Sequence, residues 1–575
     1  MAQSLRQAIP DDDLPRGFEA RPSGIFRVAT GPDGKPFSSF LCSPLRVLAL
    51  PRDRSGTGWG RLVEVTDPDG RAHRWAIPAR AFAGDGAEVI GGLLDLGLDL
   101  ATCKGSRKAL LNLLLAWQPP ARALTADRLG WADERCLSFI LGDGRVLGDE
   151  DVVFQADSVP SAAAEMRAAG LIEGWRDHVA GPCVGNPLMV AAVSLAFAGP
   201  LLEPLGLDGG GLHLRGASSR GKPTIQRVAV SVWGSPRFLH SWRATANGLE
   251  GVAAACNGAL LALDEIGEVS GRDAGAAAYM LANGTGKARA NRAGGARAAA
   301  RWRVMVLSSG EIALADKMAE AGGRAAAGQA VRLLDVAADG RAHGAFDDLH
   351  DAPDGAAFAD RLREATASHF GTAGPAFVRA FLDRREEATA TARTAIKHFC
   401  AGAAETFGLE GEGQTARAAA RLGLIAAAGE LATHFGLTGW PAGTAVQAAL
   451  DVLGGWLEAR GGGGPAEARE AVERVRAFLV THGDARFEPL GKGEGMRDVA
   501  RRAGWRDGNT FWIAADAWRE IHRGADPSRA ARHLRDAGFL EAGEGKNLAQ
   551  RMPRNVAGRP RTYAVKGDIM GAGDE

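Results

Sequence analysis

The chain has 575 residues, with 68 Lys+Arg against 68 Asp+Glu and a formal net charge of zero. That length predicts several domains of roughly 150 residues, and the 46% apolar content supports globular units with buried cores. The even balance excludes a protein that coats nucleic acid by bulk charge, but not a local basic channel. The cysteines, Cys42, Cys103, Cys136, Cys183, Cys256 and Cys400, form no CxxC pair and have no His at finger spacing. Neither a zinc site nor a disulfide framework is expected. The N-terminus lacks the apolar core of a signal peptide. The longest apolar stretch, Leu188 to Leu202, is interrupted by Gly199-Pro200 and falls short of the roughly 20 residues that span a bilayer. The expectation is a soluble, reducing, cytoplasmic protein with no membrane partner.

Residues 1–20, with the acidic run Asp11–Asp13, read as a flexible tail. An N-terminal α+β module is expected over 21–160. GPDG at 31–34 and DPDG at 67–70 are turn signals between alternating segments. Residues 107–117 look helical, and 128–157 return to short strands. Residues 161–202 read as two helices packed on the next domain. Strands then alternate with helices: Leu212–Leu214, a helix at 225–233, Ala259–Leu263 and Val304–Leu307. Continuous apolar strands separated by helices predict a parallel sheet covered on both faces, hence an α/β core over 161–350. Residues 351–484 are expected to be helical, broken at 411–413 and at 461–465. The last stretch, 485–575, reads as short helices followed by a hairpin-like tail.

The first chemical motif is Gly216-Ala-Ser218-Ser219-Arg-Gly221-Lys222-Pro223-Thr224. It follows a strand and opens a helix, as a phosphate-binding loop requires. Glycines let backbone N–H groups turn toward phosphate oxygens, and the helix N-terminus and Lys222 add positive charge. The full pattern ends in Ser or Thr, whose hydroxyl binds Mg²⁺. Pro223 stands there instead, without hydroxyl or N–H, although it suits a first helical turn. Thr224, about 100° further round, is a poor substitute unless the loop shifts. A Gly-rich turn is the plain alternative.

The second motif, Leu260-Leu-Ala-Leu-Asp264-Glu265, delivers two carboxylates at the end of a buried strand. The first suits Mg²⁺, and the second suits polarising a water for attack on a γ-phosphate. The third is the stretch from Ala274 to Gly310, which has no acidic residue but contains Lys287, Arg289, Arg292, Arg297, Arg301 and Arg303. A cationic hairpin turning at 291–297 suits the phosphates of a single strand; a solvated hairpin at a subunit interface is the alternative. The fourth is Arg332 in Gly328-Gln-Ala-Val-Arg332-Leu-Leu-Asp335. It suits either a neighbouring subunit's γ-phosphate or a salt bridge with Asp335. Ser308 and Ser309 close the third strand and suit positioning the attacking water, or simple capping. In the tail, Arg529 to Leu540 reads as an amphipathic helix. Lys546, Arg551, Arg554, Arg559, Arg561 and Lys566 follow it. Helix, helix, then basic hairpin is the plan of a winged helix that binds DNA or mediates protein contacts.

GASSRGK, Val232-Trp-Gly234, Trp242 through Glu250, LLALDEIGE, GTGKARANR and GQAVRLLD occur in an order that resembles one family. It is the bacterial and mobile-element family catalogued as domain of unknown function 927, similar to AAA+ helicases. The likeness extends from about residue 60 to the C-terminus and includes Gly130-Trp131 and Ala428-Gly-Glu-Leu-Ala432. It implies an AAA+ P-loop ATPase core at 161–350, a helical lid region at 351–484 and a winged-helix-like domain at 485–575. It also implies a homo-hexamer related to mini-chromosome-maintenance-type helicases, using ATP and Mg²⁺ to move DNA. Gly216, Ser218, Ser219, Gly221, Lys222 and Thr224 would hold the nucleotide, and Asp264 and Thr224 the metal. Glu265, Ser309 and Arg332 would be catalytic, with Arg421 a further sensor. Lys287, Arg289, Arg292 and Arg297 would face the pore, and Lys546 and Arg551 would contact DNA. The family carries Thr where this chain has Pro223, so the alternative function is an assembly or regulatory module with impaired hydrolysis.

Overall fold

The computed structural model describes residues 14–31, 34–149, 151–155, 161–287, 289–290, 296–297, 299–320, 332–409, 413–460, 466–490, 499, 501–523, 526–543, 547–552, 556 and 558–571. At 161, 289–290, 296–297 and 466–467 it describes the backbone alone. Most of the tail read at 1–20 lies outside these residues, as do most of the breaks at 411–413 and 461–465. The chain divides into two compact units. The first takes Met1–Ala325, Arg332–Phe399 and Arg421–Val452, and the second takes the remainder.

The N-terminal part of the first unit is built on β-hairpins. Strands Gly60–Thr66 and Ala72–Pro78 pair antiparallel in register across DPDG, where Gly70 adopts φ +79 and closes the turn to Asp67. Left-handed backbone of this kind favours glycine. Strand Leu45–Arg52 joins this hairpin to Arg122–Ala126 and Val152–Phe154, completing a five-stranded sheet. Val47, Val63, Val65 and Ile77 from this sheet pack with Leu110 and Leu113 of helix Ser106–Ala116.

Residues 161–202 differ from the two helices expected. A 3₁₀ turn at Ser161–Glu165 is followed by the short helix Ile172–Trp175 and a π-helical turn at Arg176–Ala180. Pro182 lacks the N–H needed to continue, so the helix stops. The chain restarts at Pro187, in the first helical turn of Pro187–Ala198. Residues 188 to 198 of that helix are all buried. Extended to Leu205, it is long and apolar enough to cross a membrane by length and composition, but 83% of its apolar window is buried within the fold. An all-round apolar helix is what a fully covered position demands.

The central sheet is wholly parallel. Its order is His240–Ser241, Leu260–Asp264, Met305–Gly310, Gly210–Arg215, Leu333–Ala337. Leu260 through Leu263 and Met305 through Leu307 are buried, as expected of strands covered on both faces. The helix after the glycine loop is Lys222–Val230, starting three residues before the stretch expected.

The second unit centres on helix Ala466–His482 and a six-stranded sheet. Strands Phe487–Pro489, Gly504–Asp507 and Thr510–Ala514 stand where short helices are expected. Each is too short to carry a clear two-residue period. Asp526 caps helix Pro527–Asp536 through the Ser528 and Arg529 N–H groups. Gly538 at φ +81 then ends it, and Leu540 enters a strand. Trp518 and Tyr563 stack with centroids 4.3 Å apart over a core containing Val475, Leu479, Ile513 and Leu534.

Candidate active site

Parallel strands put all their C-terminal ends at one edge, where ligands bind in open α/β sheets, at the point where the strand order reverses. Here the strand leading into the glycine loop lies between Met305–Gly310 and Leu333–Ala337. The strand next in sequence, His240–Ser241, lies at the far side of the sheet. The register aligns Leu214 with Ser309, and Leu263 with Ser308. Leu214, Asp264 and Ser309 therefore stand nearly level across three adjacent strands, and the glycine loop begins two residues beyond Leu214.

Gly221, at φ +103, caps helix Lys222–Val230. A Cβ there would lie 2.8 Å from Cζ of Phe346. Ser219 is also left-handed, at φ +60, an uncommon state that turns successive N–H groups into an anion-binding concavity. Ser218 and Ser219 are exposed. Lys222 is only 5% exposed. Its Nζ donates to the carbonyls of Gly216 (2.5 Å) and Ala217 (2.8 Å). Beyond the last strand, Asp339 accepts from the Ala217 N–H at 2.9 Å. A Cβ on Gly216 would lie 2.9 Å from Cγ of Asp339, so glycine admits that carboxylate. Pro223 occupies the exposed first turn, where no backbone bond is lost. Thr224 follows, half-buried, its N–H bonded to Gly221 O at 3.0 Å.

The strand Leu260–Asp264 delivers its two carboxylates as expected. Ser309 Oγ donates to Asp264 Oδ1 (2.5 Å) and accepts from the Glu265 N–H (3.2 Å). Glu265 adopts φ +55, a strained conformation for a residue with a side chain, costing about 1–3 kcal/mol. Its Oε1 accepts from the Gly267 N–H at 3.0 Å. One hydroxyl thus ties both carboxylate-bearing residues to the neighbouring strand.

A buried polar chain beneath this edge carries no sequence signal. Trp242 Nε1 donates to Ser308 Oγ at 2.8 Å, and Ser308 bonds His213 Nδ1 at 2.9 Å. His213 Nε2 lies 2.9 Å from the Ile312 carbonyl. A carbonyl only accepts, so Nε2 carries the proton and Nδ1 accepts from Ser308. Burial pushes the His213 pKa down to about 4. Beside it in register stands Asp335, raised to about 6 by burial despite Arg215 at 3.4 Å. Gln226 donates to the Leu263 and Leu307 carbonyls, locking the loop's helix to the sheet.

Arg332 precedes Leu333–Ala337 and therefore lies at the opposite, N-terminal edge. Its Cζ sits 4.7 Å from the ring centroid of Tyr279. Arg421 shares that edge, donating to Gly209 O at 2.9 Å. Burial first, then the Arg332 charge, lowers its pKa to about 10. Neither arginine lies at the edge of its own chain's glycine loop.

Of the basic stretch, Lys287 is exposed, its N–H bonded to Glu250 Oε1 at 3.2 Å. Strands Arg289–Ala290 and Ala296–Arg297 form the expected antiparallel hairpin, with Arg289 opposite Arg297. Arg292 lies outside the described residues. Arg303 departs from the expectation of a cationic surface. It bridges the Leu202 and Leu207 carbonyls and meets Glu203 at 3.2 Å, so it anchors the sheet. In the second unit Arg551 is exposed and directly opposite exposed Arg561, whereas Lys546 lies outside the described residues. Among the described residues no cluster of His, Cys, Asp and Glu could hold a metal ion by itself.

The donor set fits a nucleotide triphosphate: left-handed loop positions, a helix start, and a lysine held by carbonyls rather than by a carboxylate. It fits Mg²⁺ through the Asp264 carboxylate at the strand end, with Thr224 in the first turn of helix Lys222–Val230. No curated protein matches the sequence. A solved structure described as "SCCmec type IV Cch - active helicase" is similar in fold, with a TM-score of 0.70 at 17% identity. The alignment covers 96% of this chain and 99% of that one. Residues 18–301 match the family described as "Domain of unknown function (DUF927)", and this part of the chain belongs to that family.

Proposed function

We propose that this chain is an ATP-driven DNA helicase or translocase serving replication of a mobile genetic element. The reading assigns an AAA+ core to 161–350, a helical lid to 351–484 and a winged-helix-like domain to 485–575. One observation supports it most: the parallel sheet brings Lys222, Asp264, Glu265 and Ser309 to a single edge and leaves Arg332 at the other. The fold shared with a helicase supports it further.

In this reading the loop N–H groups bind the β- and γ-phosphates, and Lys222 exchanges its two carbonyl acceptors for phosphate oxygens. Asp264 and Thr224 would hold Mg²⁺, which when bound neutralises phosphate charge. Glu265 accepts the proton of the attacking water, and Ser309 keeps both carboxylates aligned. Strand Leu333–Ala337 has five residues, so at about 3.3 Å per residue Arg332 lies roughly 16 Å from its own loop edge. It therefore serves a neighbouring copy in a ring, taken as a hexamer. The hairpin arginines contact single-stranded phosphates in the pore. Arg551 opposite Arg561 is an unfavourable like-charge pair that a duplex phosphate relieves, which favours DNA over protein as the partner of this hairpin.

A second reading, a nucleotide-binding assembly module with impaired hydrolysis, is favoured by Pro223 alone. ATP turnover measured with and without single-stranded DNA separates the two. DNA-stimulated turnover that vanishes in Lys222→Ala supports the motor. Negligible turnover that rises in Pro223→Thr supports the module. Unchanged nucleotide binding by Lys222→Ala overturns both.

A further inference from the structure

Tyr279 lies on helix Gly271–Asn283 and is 46% exposed, although aromatic side chains usually sit inside. The end of this helix borders the N-terminal edge of the sheet: a Cβ on Gly209 would lie 3.6 Å from the Ala282 carbonyl. The Arg332 guanidinium rests over the Tyr279 ring at 4.7 Å. Asn283 and Arg332 also hydrogen-bond the phenol and hold its pKa below the ordinary value. Among the described residues no carboxylate pairs with Arg332. On the inner side stands Arg421, buried at the Gly209 carbonyl and close enough for its pKa to feel the Arg332 charge. Like charge behind and an electron-rich ring in front hold Arg332 outward.

An arginine side chain carries many rotamers, and fixing it in a transition state costs conformational entropy. A planar guanidinium resting on an aromatic face has lost that freedom beforehand. One of its faces and its N–H edges stay available to a phosphate. We propose that Tyr279 is a positioning residue, a shelf that presents Arg332 to the γ-phosphate bound by a second copy of this chain. The inference rests on the ATPase reading of Arg332. It adds a residue outside the motifs from which that reading was built.

The chain contains just two tyrosines, Tyr279 and Tyr563, so full-length protein labelled with 3-fluorotyrosine gives two fluorine resonances. Tyr279→Phe assigns them. Arg332→Ala should move the Tyr279 signal and leave the Tyr563 signal in place. A non-hydrolysable ATP analogue should move the Tyr279 signal in the parent but not in Arg332→Ala. Tyr279→Ala should lower kcat for ATP about threefold with KM unchanged, the scale of one exposed cation–π contact. Tyr279→Phe, which keeps the ring face, should restore most of it. A Tyr279 resonance indifferent to Arg332, or to the analogue, overturns the proposal, as does an unchanged kcat in Tyr279→Ala. Loss of the motor reading shows separately, as turnover that survives Lys222→Ala. Should the parent not turn over, the analogue-dependent shift alone decides.

Discussion

Ser309→Ala tests the arrangement of the carboxylates most directly. Ser309 is 1% exposed, and its side chain makes two bonds, one to the Asp264 carboxylate and one from the Glu265 N–H. Losing a hydrogen bond to a charged group costs about 1.5–3 kcal/mol. The Glu265 N–H also loses its acceptor, and the strain at φ +55 loses a restraint. About 2–3 kcal/mol of misalignment at the reacting carboxylates corresponds to a fall of roughly 30- to 150-fold in kcat. Neither bond belongs to the loop that grips the phosphates, so nucleotide affinity should change less than threefold. Steady-state ATP turnover gives kcat and KM, and equilibrium titration of a fluorescent nucleotide gives the affinity. A kcat within threefold of the parent, or a loss confined to affinity, refutes the role assigned to this hydroxyl.

Gly221→Ala places a Cβ at φ +103 and 2.8 Å from Phe346. Strain and overlap of about 2–4 kcal/mol should weaken nucleotide binding more than tenfold, read by the same titration. His213 has a pKa near 6.5 in an unfolded chain but about 4 when folded. The unfolded state binds the extra proton between those values, so the contribution is full above pH ~6.5 and falls toward pH 4. The stability advantage of the parent over His213→Gln should shrink by about 2 kcal/mol from pH 7 to 5, measured by urea unfolding. Asp335, raised to about 6, titrates with the opposite sign in both proteins, which is why the difference is the quantity to measure. Arg297→Glu should weaken single-stranded DNA binding and flatten its log–log salt slope by at least about 0.7. An unchanged slope removes the hairpin from the interface.

The core strands were legible because runs such as Leu260–Leu263 are continuously apolar and end in charged or small residues. The loop was legible because Gly216 and Gly221 are spaced as an anion cradle requires. Other features arise from contacts between distant parts of the chain. His213 is a lone histidine in an apolar strand, and its partners Ser308 and Ile312 lie 95 and 99 residues away. Asp339 reaches Ala217 across 122 residues. Arg303 reads as one more cation in a basic run until Glu203 and two carbonyls are seen to hold it. Residues 161–202 read as two helices, but Gly181-Pro182 and Asn186-Pro187 break the backbone ladder.

A parallel sheet has a direction, and here the two directions carry different chemistry: the lysine loop at one end and the arginine at the other. Copies joined head to tail make each joint from two different chains. A lysine-dead copy and an arginine-dead copy therefore damage opposite sides of their joints. Mixed together, two inactive variants rebuild some intact joints, and activity should reappear from proteins that have none alone. Mixed with parent, either variant poisons one joint per copy. A chain that met its twin face to face through identical surfaces would pair the same ends, and the two mixtures would behave differently.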